Sequence, residues 1–427
     1  MTSSIPELSV VTLKPNGDWS PAHFLSFDLA TLYCRARSAL HRRTTMTSSP
    51  VLPSASIHSD PGFEIGWDFA HYRLVPPVEQ LLPGNPVRYG WEAGQAVFGV
   101  RTLRATPYVK KWLQLRLGAW MRGKAFELFQ VTPNFLERID VAVCPVTGGA
   151  LTHATGTDSD ASVDRVNNQA GYAAGNLAVM SVRANRAKSA YDWRDAAAFV
   201  RQIEGGKLGE IDGLNAREWA RLAALMSYCT PLSHAVAANL PLLVLPPPCL
   251  RLLNPVQAVQ AGLISCFAGI GRAPKVDALV RIFPRCVQEE ARSFMTTLLA
   301  RRISAGPATN PAQLRSLLEA AWCEPLIVRR WQRVALRMDA ASCETVGAAL
   351  PATWSSVVTG SAPLRYLSLE RATEGWALET GGRVTGERVF GWCPDNGAPA
   401  STPTTRDAGQ SAAHRPPSIR ADSSLAI

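Results

Sequence analysis

Apolar positions along this chain fall mostly at helical spacing. Over residues 107–130, Val109, Trp112, Leu113, Leu115, Leu117, Trp120, Met121, Phe126, Leu128 and Phe129 recur at intervals of mostly three and four. That predicts a helix whose polar face carries Lys110, Lys111, Arg116, Arg122 and Lys124. The same period predicts helices over 191–203 and, behind Asn215 as a cap, over 216–228. A separate helical region over 229–345 follows, with helices expected at 256–270, 276–283, 287–303, 311–322 and 326–338. A helix over 25–40 ends in a basic cluster, and 44–59 reads as a Ser/Thr/Pro linker. Residues 61–99 are crowded with Pro and aromatics, among them Trp67 and Trp91, and predict short strands or irregular loops. Alternation at 139–143 predicts a strand ending at Cys144. A second strand pair is expected as a hairpin of 376–380 and 383–385 around Gly381-Gly382, with strand character continuing to Phe390.

One stretch, 162–189, is spaced for chemistry rather than packing. A short run, 162–166, leads into a loop rich in Asn and Gly, whose residues tolerate positive φ or bond their own backbone. A strand-length apolar run follows at 176–181. Ser181 is then placed to cap a basic helix over 182–190. The order is strand, loop, strand, helix, and the fold class expected for the whole chain is α+β. The segments read as a basic, poorly patterned 1–60, an aromatic-rich region with the basic helix at 61–139, the strand–helix unit with trailing helices at 140–228, the helical region at 229–345, a small strand-containing region at 346–393, and a tail at 394–427 expected to be disordered.

Charge narrows the partner. The net charge is +10 and the isoelectric point about 9.3, so a polyanion, most naturally nucleic acid, is the expected ligand class. Nine Cys occur singly, with no CxxC pair, which argues against a zinc ribbon or a disulfide scaffold. No apolar leader follows Met1, and the two longest uncharged runs are broken by Pro, Asn and Gln. The expectation is a soluble, cytoplasmic protein without a membrane partner.

The pattern S-x-D-R-x-(loop)-G-Y-x-x-G-N-x-x-V-x-S-x-R-A-N-R-x-K, preceded by Cys144-Pro145-Val146-Thr147-Gly148, resembles the HNH, or His-Me finger, nucleases over roughly residues 140–195. The resemblance implies a ββα-metal unit embedded in a mostly helical chain, and metal-dependent hydrolysis of phosphodiester bonds in DNA, with RNA left open. It makes Asp164 the acidic metal ligand, Asn176 the residue that fixes the hairpin and orients the base, Asn185 the second ligand, and Lys188 a lysine facing phosphate. The ion would be Mg²⁺, or Mn²⁺, a hard cation content with few protein oxygens. Many members carry a CxxC pair on each side of the motif. Here Cys144 stands alone, so no structural zinc is expected.

One position departs. The usual motif has Asp-His, its His being the general base; this chain has Asp164-Arg165. Arginine stays protonated and does no base chemistry, but its guanidinium suits a phosphate. Either the base lies elsewhere, with His153 the nearby candidate against its reading as a solvated loop residue, or the domain binds without cutting. Arg165, Arg183, Arg186 and Lys188 would grip the backbone, joined by Lys110 and Lys111 if the 107–130 helix lies along phosphate rather than in solvent. A third reading makes the C-terminal helices a protein-interaction scaffold and the finger a remnant.

Overall fold

The computed structural model describes residues 60–206, 208–268, 275–304, 316–317, 319–350 and 367–384. The helix expected at 25–40, the 44–59 linker, the strand near Phe390, the tail from 394 and much of the 311–322 helix lie outside the described residues.

The first elements correct the reading of 61–99. Those residues form helices α1 (Pro61–His71) and α2 (Pro86–Phe98), not strands or irregular loops. Their prolines sit in the first turn, where the missing N–H is one no helix bond needs. Asp60 and Asn85 cap them, accepting from Gly62 and Val87 N–H. The two helices touch backbone to backbone: a Cβ on Gly66 would lie 1.9 Å from Val87 O, and one on Gly90 1.9 Å from Phe63 O. Gly66→Ala is expected to cost about 1–3 kcal/mol through this overpacking, read as a lower urea midpoint.

Helix α3 (Pro107–Met121), capped by Thr106, is shorter than the pattern suggested. It stops ahead of Gly123, whose φ of 61° leaves the helical region. Its inner face joins α1 and α2 through Val109, Leu113 and Leu117. Arg116, expected on the basic face, is buried instead and pairs with Asp68 of α1. The expected strand at 139–143 is also corrected. Thr132 accepts from Phe135 N–H and Pro133 opens helix α4 (Pro133–Ile139), burying Phe135, Leu136 and Ile139. Only a single bridge, Val143 to Ala150, remains of that strand.

The sheet consists of β1 (Ala161–Arg165) and β2 (Leu177–Ser181), antiparallel, with Ala161 opposite Ser181 and Arg165 opposite Leu177. β2 is buried along its whole length. Its alternate residues serve two cores. Leu177 and Val179 meet Leu115, Val131, Phe135 and Ile139, whereas Ala178 and Met180 join the cluster that runs through Trp219, Val259 and Phe294 to Trp376. Helix α5 (Val182–Lys188) follows directly, capped by Ser181 Oγ. Capping boxes open α6 (Trp193–Glu204), at Asp192, and α7 (Ala216–Tyr228), at Asn215. The described elements that follow are helices: α8 (His234–Asn239), α9 (Pro255–Ala268), α10 (Val276–Val280), α11 (Gln288–Ser304), α12 (Pro325–Ala335), α13 (Ala340–Ala349) and α14 (Leu369–Ala372). Among the described residues the architecture is mostly helical with one small antiparallel sheet, and no described helix is long and apolar enough to cross a membrane.

The hairpin expected around Gly381-Gly382 does not form. Trp376 is fully buried, with Nε1 donating to Ala174 O at 3.0 Å. The chain before the glycines is therefore committed to the core and cannot pair with the chain after them. Leu378–Thr380 is instead a 3-10 turn, and Arg383 bridges to Lys124.

Candidate functional site

Strand alternation splits the motif over two faces. Ser162 and Asp164 point toward α5, beside Met180 and Ala178, the residues opposite them in register. On α5, Asn185 and Lys188 are three apart and share the facing side. Asn185 Nδ2 donates to Ser162 Oγ at 2.8 Å, and Lys188 Nζ lies 2.9 Å from Asp164 Oδ2. Ser162, Asp164, Asn185 and Lys188 are thus brought together as one polar layer between strand and helix.

Asn176 holds the loop that closes the unit. It is fully buried. Its Oδ1 accepts from Asn167 N at 2.8 Å, and its Nδ2 donates to Asn167 O at 3.1 Å and Gly171 O at 3.0 Å. Its backbone carbonyl accepts from Val166 N at 2.8 Å. Asn176 thus ties the two ends of the loop together.

Lys188 departs from a phosphate-facing lysine. Its ammonium is buried, donating to Arg165 O and to Asn168 Oδ1, each at 2.9 Å. With those two bonds made, Asp164 Oδ2 receives the charge of the ammonium but no well-aligned hydrogen bond. The cation opposite Asp164 is thus supplied by the chain itself. A divalent ion held by Asp164 and Asn185 would have to displace that buried ammonium.

Comparison of the chain with protein-family models, with curated proteins and with solved structures gives no match.

The polar layer includes no histidine. His153 is 62% exposed and its Nε2 lies 3.9 Å from Asp140, whose carboxylate also accepts from Tyr108 OH. It belongs to the loop ahead of β1, where Asp160 organises the turn. The hydroxyls of Thr152 and Thr155, with backbone N–H of Thr155 and Gly156, hold the Asp160 carboxyl well below the usual carboxylate range. Lys111 sits near that carboxylate. Burial pulls its ammonium pKa down and Asp160 pushes it back up.

The remaining basic residues separate by partner. Arg183 pairs with Glu218 of α7, so it ties helix to helix. Arg186 and Asp158 form an exposed pair at 3.1 Å. Lys110 is exposed on α3. Arg165 lies on the other face of β1 from Asp164. Its Nη1 donates to Ala170 O at 2.8 Å and Asn168 O at 3.2 Å, and its guanidinium stands 5.1 Å from the Tyr172 ring centre. Ser162 and Asn168 are the members of the polar layer that sequence reasoning missed. For Ser162 the signal was its two-residue spacing from Asp164; for Asn168 no local signal exists, because its partner lies on α5.

Cys144 anchors the chain entering the unit. Burial pushes its thiol up, but hydrogen bonds from Thr147 and Ser181 outweigh that and the net direction is down. The other described cysteines are free as well, with Cys229 and Cys343 buried, and Cys286 and Cys323 exposed.

Proposed function

We propose that the chain binds nucleic acid, with DNA as the first ligand to test, through a unit built like the His-Me finger. The observation that carries this reading is the strand–loop–strand–helix order itself, with Asn176 bracing the loop and with Asp164, Asn185 and Lys188 meeting between strand and helix. The net charge of +10 supplies the long-range attraction, through release of counterions from the phosphate backbone. Binding without cutting is favoured by two features. Arg165 stands where a general base would, and Lys188 already neutralises Asp164. In this reading Arg165 presents charge to phosphate, while Asp164 and Lys188 lock α5 onto β1.

Metal-dependent hydrolysis is the second reading, favoured by the convergence of Ser162, Asp164 and Asn185 on one face. A plasmid-nicking assay with Mg²⁺ or Mn²⁺, run beside a salt titration of DNA binding, separates the two. The expected result is no nicking and an affinity that falls steeply with salt. Metal-dependent nicking that disappears in Asp164→Asn would establish hydrolysis instead. Absence of salt-sensitive binding would refute both and favour the helical scaffold.

A further inference from the structure

Three segments distant in sequence meet edge to edge beside the loop. Ala125 N donates to Gly382 O at 2.9 Å, Tyr172 N to Ala125 O at 2.8 Å, Glu127 N to Tyr172 O at 2.9 Å, and Val384 N to Gly123 O at 3.2 Å. Four cations gather around them. Arg122 and Lys124 come from the chain after α3, Arg165 from β1, and Arg383 from the C-terminal segment that Trp376 anchors.

The side-chain hydrogen bonds of these cations go to uncharged oxygens. Arg122 Nη2 donates to Tyr172 OH at 2.7 Å, Lys124 Nζ to Gly381 O at 3.4 Å, and Arg165 to the two loop carbonyls. Among the described residues none of these four cations is within ion-pair distance of a carboxylate. Glu127, the acid nearest in sequence to Arg122 and Lys124, turns its carboxylate to the N–H groups of Phe129 and Gln130, and Asp164, next to Arg165, faces Lys188 on the other side of the strand. Burial, and then the charges of Arg165, Arg383 and Arg122, lower the pKa of Lys124, as expected where like charges gather without a counter-ion.

Such a gathering costs free energy in the isolated protein and is relieved by a bound anion. Arg122 and Arg383 are exposed, and Lys124 and Arg165 half-buried, so the anion reaches them from solvent. Tyr172 is itself buried, 7% exposed, so it floors the site and offers no face for a base to stack on. The charge calls for phosphate.

We propose that Arg122, Lys124, Arg165 and Arg383 form one site for adjacent phosphates of a nucleic-acid backbone, on the face of β1 opposite Asp164, and that the C-terminal segment is part of that site. The inference rests on the nucleic-acid reading above, and to Arg165 of the motif it adds Arg122, Lys124 and Arg383 from outside it. It also requires no metal.

The test uses the full chain in EDTA. Binding to a 20-nucleotide single strand and to a 20-base-pair duplex of random sequence is measured by fluorescence anisotropy across a salt series. Arg122→Gln, Arg383→Gln, their double variant and an exposed control on α7, Arg217→Gln, are compared. Each single variant is expected to make the slope of log K against log salt shallower by about 0.9 on the duplex or about 0.7 on the single strand, with the double variant losing about twice as much and the control nothing. Wild-type binding with slopes unchanged in Arg122→Gln and Arg383→Gln would overturn this site and leave the nucleic-acid reading standing. Failure of the wild-type chain to bind either probe would overturn both. Circular dichroism melts confirm that each variant is folded; both side chains are exposed and Arg383 has no side-chain partner among the described residues.

Discussion

Lys188→Ala is expected to be among the most damaging single changes in the chain, lowering stability by about 3–5 kcal/mol. Lys188 is fully buried, and its ammonium is the only positive charge paired with Asp164 among the described residues. Removing it leaves Asp164 Oδ2 enclosed with no compensating charge, and leaves Arg165 O and Asn168 Oδ1 without their donor. The penalty for an orphaned buried charge exceeds what the intact pair contributes, because the pair's attraction mostly repays its own desolvation. The double variant Asp164→Asn with Lys188→Met is therefore expected to recover most of the loss, since neither residue then brings a charge inside. Urea denaturation of the single and double variants measures this. A double variant no more stable than Lys188→Ala would show that the hydrogen bonds to Arg165 and Asn168, not the charge, dominate. The result also bears on function. A metal ion at Asp164 would stand in for Lys188, so if Mg²⁺ raised the melting temperature of Lys188→Ala but not of wild type, Asp164 would keep the capacity to hold a dication.

The inward turn of Lys188 had a signal in the sequence. Ala184 and Ala187 are the small residues of α5 that pack inward, and Lys188 lies four after the first, on the same side. The family resemblance turned it toward phosphate. Read with the alanines, it pointed to the core. The order of strand, loop, strand and helix was legible for a related reason: the Asn/Gly loop, the apolar run and Ser181 as a cap are all local. So were the Asn215 cap and the helices α9, α11 and α12, whose apolar spacing survives in the structure.

What was illegible depends on distant partners or on position within a turn. The prolines of 61–99 suggested strands and loops, although Pro61 and Pro86 each open a helix in its first turn. Residues 139–143 alternate like a strand, but Thr132 and Pro133 had already committed the chain before them to a helix. Gly381-Gly382 has hairpin chemistry, yet Trp376 finds its partner at Ala174, some two hundred residues back, and that burial decides the local fold. The four-cation site has the same origin. None of its three segments is conspicuous alone, and only the pairing of Lys124 with Arg383 and of Phe126 with Tyr172 brings them together.

Asn176→Ala is expected to cost about 3–5 kcal/mol, through lost hydrogen bonds rather than lost volume. The side chain is enclosed, so the Asn167 N–H and the carbonyls of Asn167 and Gly171 have no water to replace it. Each buried group left unpaired costs on the order of 1–3 kcal/mol. Asn176→Asp separates shape from bonding. It fills the same space and still accepts from Asn167 N–H, but an ionised carboxylate has no proton for the two carbonyls and meets their lone pairs instead. At neutral pH it is expected to be at least as destabilising as alanine, measured by urea denaturation. An Asp variant close to wild type would show that packing alone holds the loop. The consequence reaches both faces of β1, because the loop Asn176 braces supplies Asn168 Oδ1 to Lys188 and the carbonyls of Asn168 and Ala170 to Arg165. Either variant, measured below its melting point, is therefore expected to bind DNA with a shallower salt slope than wild type, since a loosened loop no longer holds Arg165 beside Arg122, Lys124 and Arg383.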